Sequence, residues 1–209
     1  MSISSFSFFI SFEGIDGCGK STQVKMLMEK FKKEKIKSIL VREPGGTLIS
    51  EKIRAILLDK NMNNMNYRTE AFLMIASRAQ LTKEVVIPKL QEGYIVVADR
   101  YKDSTLAYQG AGRNLDINIL DRMNKFATYD LNPDITFLMD LSPKIAAKRQ
   151  GNINLDRIER IGDNFQEKVR KQYLKLALDK ANRFIVLDGR LSIETIHEII
   201  WENVENKIK

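Results

Sequence analysis

Gly14-Ile15-Asp16-Gly17-Cys18-Gly19-Lys20-Ser21, followed by Thr22, fits the pattern G-x-x-x-x-G-K-[ST]. That pattern marks a loop that wraps the phosphates of a nucleoside triphosphate. The residue types follow from the chemistry. Glycines let the backbone turn its N–H groups inward, where side chains would block the phosphates. Lys20 supplies a positive charge for the β- and γ-phosphates, and the Ser21 hydroxyl can ligate Mg²⁺. A helix starting here adds its positive N-terminus. The alternative is a glycine-rich turn that binds nothing, and context answers it. Phe6–Phe12 reads as a buried strand before the loop, and Val24, Leu27, Met28 and Phe31 recur at helical spacing after it. Strand, loop and helix is the arrangement the motif requires, so Gly14 to Thr22 are assigned to binding the triphosphate.

Four further residues with chemical potential sit just after strand-like runs: Asp16, Glu43, Asp99 and Arg100. Arg100 has a planar fork that can hold phosphate oxygens bidentately; its alternative is an ion pair with Asp99 or Glu43. Asp99 ends an apolar run and can hold Mg²⁺ directly or through water, or serve as a structural carboxylate. Asp16 lies inside the phosphate loop, where a carboxylate is unfavourable unless it has a partner. Cys18 sits among backbone N–H groups and Lys20, which favour a thiolate; the alternative is an inert small side chain packed under the loop.

These residues need a scaffold that gathers strand ends. The predicted strands are Phe6–Phe12, Ser38–Arg42, Tyr94–Asp99, Ile135–Asp140 and Phe184–Asp188. The predicted helices are Lys20–Lys35, Leu48–Leu58, Thr69–Glu92 interrupted around Pro88, Ser104–Gly110, Asp116–Ala127, Pro143–Gln150, Asp163–Ala181 and Ser192–Asn206. Short strands separated by helices imply an α/β fold, a parallel sheet with helices on both faces. Ligands bind such sheets at the carboxyl ends of the strands. Polar loops are expected at Asn61–Asn66 and Gly151–Asn154. Residues 1–209 read as a single domain.

Composition removes several functional classes. Apolar residues make up 44% and charged residues 29%, ordinary for a soluble globular chain. The net charge of +7 is spread among 27 acids, with no aromatic-rich strand-binding stretch, so no nucleic-acid partner is expected. No run reaches the length of a membrane span, so no membrane association is expected. Cys18 is the single cysteine, which excludes an intrachain disulfide and fits a reducing, cytoplasmic compartment. His197 is the single histidine and offers no metal cluster. A GTPase-like switch would need a guanine-reading N-K-x-D segment after a strand, and none is present.

Three more segments narrow the reading. Arg42-Glu43-Pro44-Gly45-Gly46-Thr47 follows the second strand. Asp99-Arg100-Tyr101-Lys102-Asp103-Ser104 follows the third and runs into Ala107-Tyr108-Gln109-Gly110. Leu155-Asp156-Arg157-Ile158-Glu159 lies in a late charged loop. Together with the glycine loop, and in this order along nearly the whole chain, they resemble the thymidylate kinase family.

The resemblance implies a P-loop kinase with a five-stranded parallel sheet and a mobile lid at about residues 149–160. Its implied activity is transfer of the γ-phosphoryl group of ATP, with Mg²⁺, to dTMP. It also implies roles for individual residues. Arg100 bridges the acceptor phosphate and the transferring group, and Arg42 helps hold that phosphate. Asp16 meets the acceptor's 3′-hydroxyl, while Glu43 orients arginines or hydrated metal beside Pro44. Arg78 donates to a thymine carbonyl, and Met74 covers the ring where a phenylalanine is common. Met74 and Arg78, four apart, share a helix face, and Phe72, Ile75 and Ala79 form a separate stripe suited to the core. Ser104 and Thr105 sit where they could contact the base. Tyr108 is a candidate for excluding a ribose 2′-hydroxyl or for ordinary packing, and Gln109 for bonding near the base or capping backbone. Lys20 and a lid arginine, Arg149 or Arg157, supply catalytic charge, and Asp188-Gly189-Arg190 could border the donor base. Family members are commonly homodimers.

Overall fold

Ser11 and Glu13 are the polar residues in an otherwise apolar run, Phe8–Glu13, that is buried along almost its whole length. A strand buried on both faces belongs at the centre of a sheet. The computed structural model, which describes residues 7–151 and 155–208, places it there. Five parallel strands, β1 (Phe8–Glu13), β2 (Ser38–Arg42), β3 (Ile95–Asp99), β4 (Ile135–Asp140) and β5 (Phe184–Asp188), lie in the order β2-β3-β1-β4-β5. The register aligns the carboxyl ends: Phe12 and Arg42 each pair with Asp99, and Asp140 pairs with Asp188. From β1 the chain passes to the edge strand β2 and returns to β3 beside β1, then crosses to the other side for β4 and β5. The crevice this leaves above β1 is where an open parallel sheet binds its ligands.

Helices α1 (Lys20–Lys33), α2 (Leu48–Leu58), α3 (Tyr67–Leu81), α4 (Ile87–Gln91), α5 (Lys102–Thr105), α6 (Ile117–Ala127), α7 (Pro143–Gln150), α8 (Asp163–Asp179) and α9 (Ile193–Ile208) complete the described residues. Ile10, Phe12 and Phe137 pack with Val24, Leu27 and Phe31 of α1 and with Ile196, Ile200 and Val204 of α9. Phe9, Val41 and Val96 pack with Leu81, Val86 and Leu90 in a second cluster. Thr47, Asn66 and Asp116 cap α2, α3 and α6 with their side-chain oxygens. No described helix is long and apolar enough to cross a membrane.

The expected elements differ from the observed ones mainly at their ends. Phe6, and residues 152–154 of the expected lid and polar loop, lie outside the described residues. The expected break around Pro88 is a wide π-helical turn at Thr82–Val86 followed by α4. Proline has no N–H for the carbonyl four residues back and its ring crowds that carbonyl, and a widened turn upstream accommodates both. A second π-helical segment, Leu106–Gly112, carries Tyr108 and Gln109. The Phe72 stripe is corrected: Phe72 is 59% exposed, while Glu70, Ala71, Ile75, Ser77, Arg78 and Leu81 face inward. Half of that inward face is polar, so an apolar pattern could not reveal it.

Candidate active site

A cavity of about 800 Å³ opens along the carboxyl edge of the sheet, from the glycine loop to Met74 and Arg78 on α3. At one end the loop backbone is held where only glycine fits. Gly14 and Gly17 have φ of 137° and 75°. A Cβ on Gly14 would come within 2.6 Å of the Met139 carbonyl oxygen, and one on Gly17 within 2.6 Å of that of Ala146. Lys20 folds back to donate to the Gly14 and Ile15 carbonyls at 3.0 and 2.8 Å, with Cys18 Sγ 3.7 Å away. Cys18 is fully buried beneath the loop, the placement of a packed small side chain rather than of an accessible thiol. Ser21 and Thr22 open α1 on the cavity wall. The Ser21 hydroxyl donates to Asp99 Oδ2 at 3.3 Å. Two oxygens of the kind that hold Mg²⁺ therefore stand together beside the phosphate loop.

Arg100 occupies the middle of the cavity. Its φ of 72° places a non-glycine residue in the left-handed region, a costly conformation that persists where the surroundings hold it. Here its N–H donates to Phe12 O at 3.0 Å. The turn aims the guanidinium over the glycine loop, where it donates to Asp16 Oδ1 at 2.6 Å, Gly14 O at 2.8 Å and the Tyr108 hydroxyl at 3.0 Å. Its carboxylate partner is thus Asp16, not Asp99 or Glu43, and this supplies the partner that an acid in a phosphate loop requires. Burial would raise the Asp16 carboxyl, but Arg100 and Lys20 together hold it below the ordinary carboxylate range. The Tyr108 hydroxyl donates to Asp16 Oδ2 at 3.0 Å, closing the triangle.

The opposite wall is built on Arg78, which is 2% exposed. It donates to Glu43 Oε2 at 2.6 Å, to Thr105 Oγ1 and Asn124 Oδ1 at 2.7 Å each, and to the Tyr101 carbonyl at 3.2 Å. Burial pushes the Glu43 carboxyl up to about 7 despite the facing Arg78. Met74 lies one helical turn from Arg78 and lines the same cavity. Glu43 precedes a cis peptide bond to Pro44. The Pro44 carbonyl accepts from Arg54 at 2.8 Å, while Arg42 pairs with Glu51 at 2.7 Å.

The two arginines of the expected lid part company. Arg149, at the end of α7, lines the cavity and donates to Gly189 O at 2.9 Å. Arg157 is buried elsewhere: it donates to Leu57 O at 2.9 Å and pairs with Glu70 at 2.8 Å. Glu70 also takes Arg113 at 2.9 Å and the Gln109 amide at 2.9 Å. The Gln109 amide N–H is thus given to a buried carboxylate and not to the local backbone. Gly189 borders the cavity, whereas Arg190 is paired with Asp188 at the surface.

Sequence reasoning missed Arg54, Glu70, Arg113, Glu13 and Tyr173. Glu13 had left a signal, a charged residue closing an apolar buried strand directly before the glycine loop. Arg54, Glu70 and Tyr173 belong to helices, and Arg113 to the turn after Leu106–Gly112, and local spacing says nothing of their partners.

The arrangement can clamp a triphosphate at one end and a second anionic group at Arg100, with a recessed slot by Arg78 and Met74 beyond. Comparison with known proteins places it. A sequence model of the thymidylate kinase family matches residues 12–200. The chain is 48% identical over 201 residues to a thymidylate kinase of Thermosipho africanus (strain TCF52B), covering 96% of this chain and 99% of that one. It is 45% identical over 197 residues to one of Thermoanaerobacter sp. (strain X514), covering 94% and 97%. The crystal structure of thymidylate kinase from Ehrlichia chaffeensis superimposes with a TM-score of 0.78 at 30% identity, covering 96% of this chain and 99% of that one. The glycine loop, the Arg100 turn and the Arg78 slot, carried on this sheet order, are those of a chain that belongs to the thymidylate kinase family.

Proposed function

We propose that the protein transfers the γ-phosphoryl group of ATP to dTMP, giving dTDP and ADP. The observation that carries this reading is the guanidinium of Arg100, fixed between the glycine loop and the slot formed by Arg78, Thr105 and Met74. An oxygen of the acceptor phosphate attacks the γ-phosphorus while its bond to the β,γ-bridging oxygen breaks. No strong base is needed, because the acceptor phosphate is already anionic. The chain's task is positioning and charge stabilisation. Lys20 and the loop N–H groups hold the donor, Arg100 spans donor and acceptor, and Arg149 closes the donor side. Ser21 and Asp99, whose oxygens meet, would hold Mg²⁺, which neutralises phosphate charge when bound. Arg78 and Met74 take the base, with Ser104, Thr105 and Gln109 around it, and Asp16 and Tyr108 take the sugar edge. Arg42, Glu43 and Pro44 shape the acceptor-phosphate side.

A coupled assay across nucleoside monophosphates tests the acceptor. The expected order is dTMP first, dUMP weaker and purine monophosphates poor. Comparable turnover of dTMP, GMP and CMP would remove the thymine reading of Arg78 and Met74.

The working form is read as a cytoplasmic homodimer. Phe126 is 89% exposed and shares one stripe of α6 with Ile119. Exposed Phe72 lies on α3, which packs beside α6, and exposed Ile49 and Ile56 lie on α2, which packs against α3. An apolar surface of that extent suits a self-complementary interface. Phe126→Glu, placing charges against their symmetry mates, is expected to shift the sedimentation coefficient from dimer toward monomer. An unchanged profile would show that this face is not the interface.

A further inference from the structure

Behind Arg100, three oxygens from three elements form a closed triangle. Ser104 Oγ of α5 lies 2.7 Å from Glu13 Oε2 of β1, and the Tyr173 hydroxyl of α8 lies 2.8 Å from the same oxygen. Ser104 Oγ and the Tyr173 hydroxyl are themselves 2.8 Å apart. Each edge is a hydrogen-bond distance, and each needs one proton. The two hydroxyls supply two. If Glu13 were ionised, one edge would set two lone pairs against each other at contact distance, beside a carboxylate that can only accept. A proton on the carboxyl completes the ring: acid to one hydroxyl, that hydroxyl to the other, and the second back to the carboxyl oxygen. Glu13 Oε1 meanwhile accepts the Tyr101 N–H at 2.8 Å, which pins the turn carrying Arg100. Arg100 Nη1 rests on the outside of the ring, 3.4 Å from Ser104 Oγ and 3.3 Å from the Tyr173 hydroxyl.

We propose that Glu13 is kept as the neutral carboxylic acid at neutral pH and that the Glu13–Ser104–Tyr173 ring is the seat that positions Arg100 without consuming its charge. The charge balance around the ring agrees. Glu13 is fully buried, and burial followed by the Asp103 carboxylate on α5 pushes its carboxyl upward, against the pull of Ser104, Arg100 and the Tyr101 N–H. Asp103 is committed to Arg183 and Lys180, Asp16 to Arg100, and Glu43 to Arg78. Among the described residues Arg100 is the cation that acts on Glu13, and its single charge is already offset by Asp16. A neutral Glu13 leaves that charge to be drawn toward an incoming phosphate. Tyr173 also ties this seat to α8, the helix that follows the lid stretch. Glu13 and Tyr173 are positioning residues, since they act through Arg100.

The positioning half rests on the reading of Arg100 as the arginine at the acceptor phosphate, and the experiment separates the two. Infrared difference spectra of the whole protein, wild type minus Glu13→Gln, are recorded across pH. The expected result is a carboxylic-acid C=O band of wild type at pH 7 that is lost only at higher pH. Tyr173→Phe is expected to lower kcat roughly three- to tenfold with the KM for dTMP nearly unchanged, the effect of losing one hydrogen bond that orients a charged group. Glu13→Gln, a neutral group of the same shape, should stay within about threefold of the wild-type kcat. Absence of the acid band at pH 7, or a loss in Glu13→Gln as large as in Arg100→Ala, would overturn the proposal by showing that an ionised carboxylate is used. If Arg100→Ala loses kcat and Tyr173→Phe does not, the seat is structural and the positioning role falls. If Arg100→Ala itself keeps its kcat, the role falls because the reading of Arg100 has failed, and the acid band then reports on Glu13 alone.

Discussion

Arg100→Ala is expected to lower kcat by roughly 10²–10³, the usual effect of removing one preorganised donor from a transition state that gathers negative charge. Arg100 donates to Asp16, Gly14 O and Tyr108 from a backbone position that is itself unfavourable for a non-glycine residue. A side chain of no catalytic consequence would gain little from such a setting. Folding should tolerate the change. Alanine meets the same backbone cost as arginine at this φ, and Asp16, whose side chain is 25% exposed, keeps the Tyr108 hydroxyl, the nearby Lys20 charge and access to water. Arg100→Lys should recover only part of the loss, because a point charge cannot span two phosphates as the planar fork does. Stopped-flow or coupled kinetics at saturating ATP and dTMP, beside a melting curve, decide the matter. A kcat within about threefold of wild type with an intact melting temperature would assign Arg100 to structure.

The glycine loop and the strand ends were legible because their signals are local. G-x-x-x-x-G-K-S needs no partner to be read, and the β2, β4 and β5 ranges follow from short apolar runs bounded by helices. What escaped was pairing across the chain. Asp16 meets Arg100 over 84 residues, and Arg157 meets Glu70 on α3. No spacing rule reaches that far. Arg149 and Arg157 show the consequence: they look equivalent in the sequence, yet α7 delivers Arg149 to the cavity while Arg157 is drawn to a buried carboxylate on α3. Phe72 shows the opposite failure. Its apolar character suggested the core, but the inward face of α3 is occupied by Glu70, Ser77 and Arg78 because the site needs them there.

Glu70→Ala is expected to give the largest loss of stability of any substitution considered. Glu70 is fully buried and receives Arg113, Arg157 and Gln109, whose own side chains are nearly or wholly enclosed. Removing the carboxylate leaves two buried guanidiniums without a counter-charge. Breaking a buried ion pair by deleting one partner costs about 3–5 kcal/mol. For a chain of this length each kcal/mol moves the midpoint by about 2–4 °C, so the melting temperature should fall by roughly 6–20 °C. Glu70→Gln should lose less, since its carbonyl still accepts one hydrogen bond. The pH dependence provides an independent check. Burial works to raise the Glu70 carboxyl, but Arg113, Gln109 and Arg157 overcome it and hold the carboxyl below its ordinary value. The folded state therefore binds the proton less readily than the unfolded chain. The resulting stability is fully present above the unfolded value near 4.5 and is lost as pH falls through the lower folded value. Wild type should lose stability across that acid range more steeply than Glu70→Gln, in which this position no longer titrates. Parallel acid slopes, together with a Glu70→Ala midpoint within about 2 °C of wild type, would mean that the two arginines find other partners or water. The contact between Arg157 and α3 would then hold nothing in place.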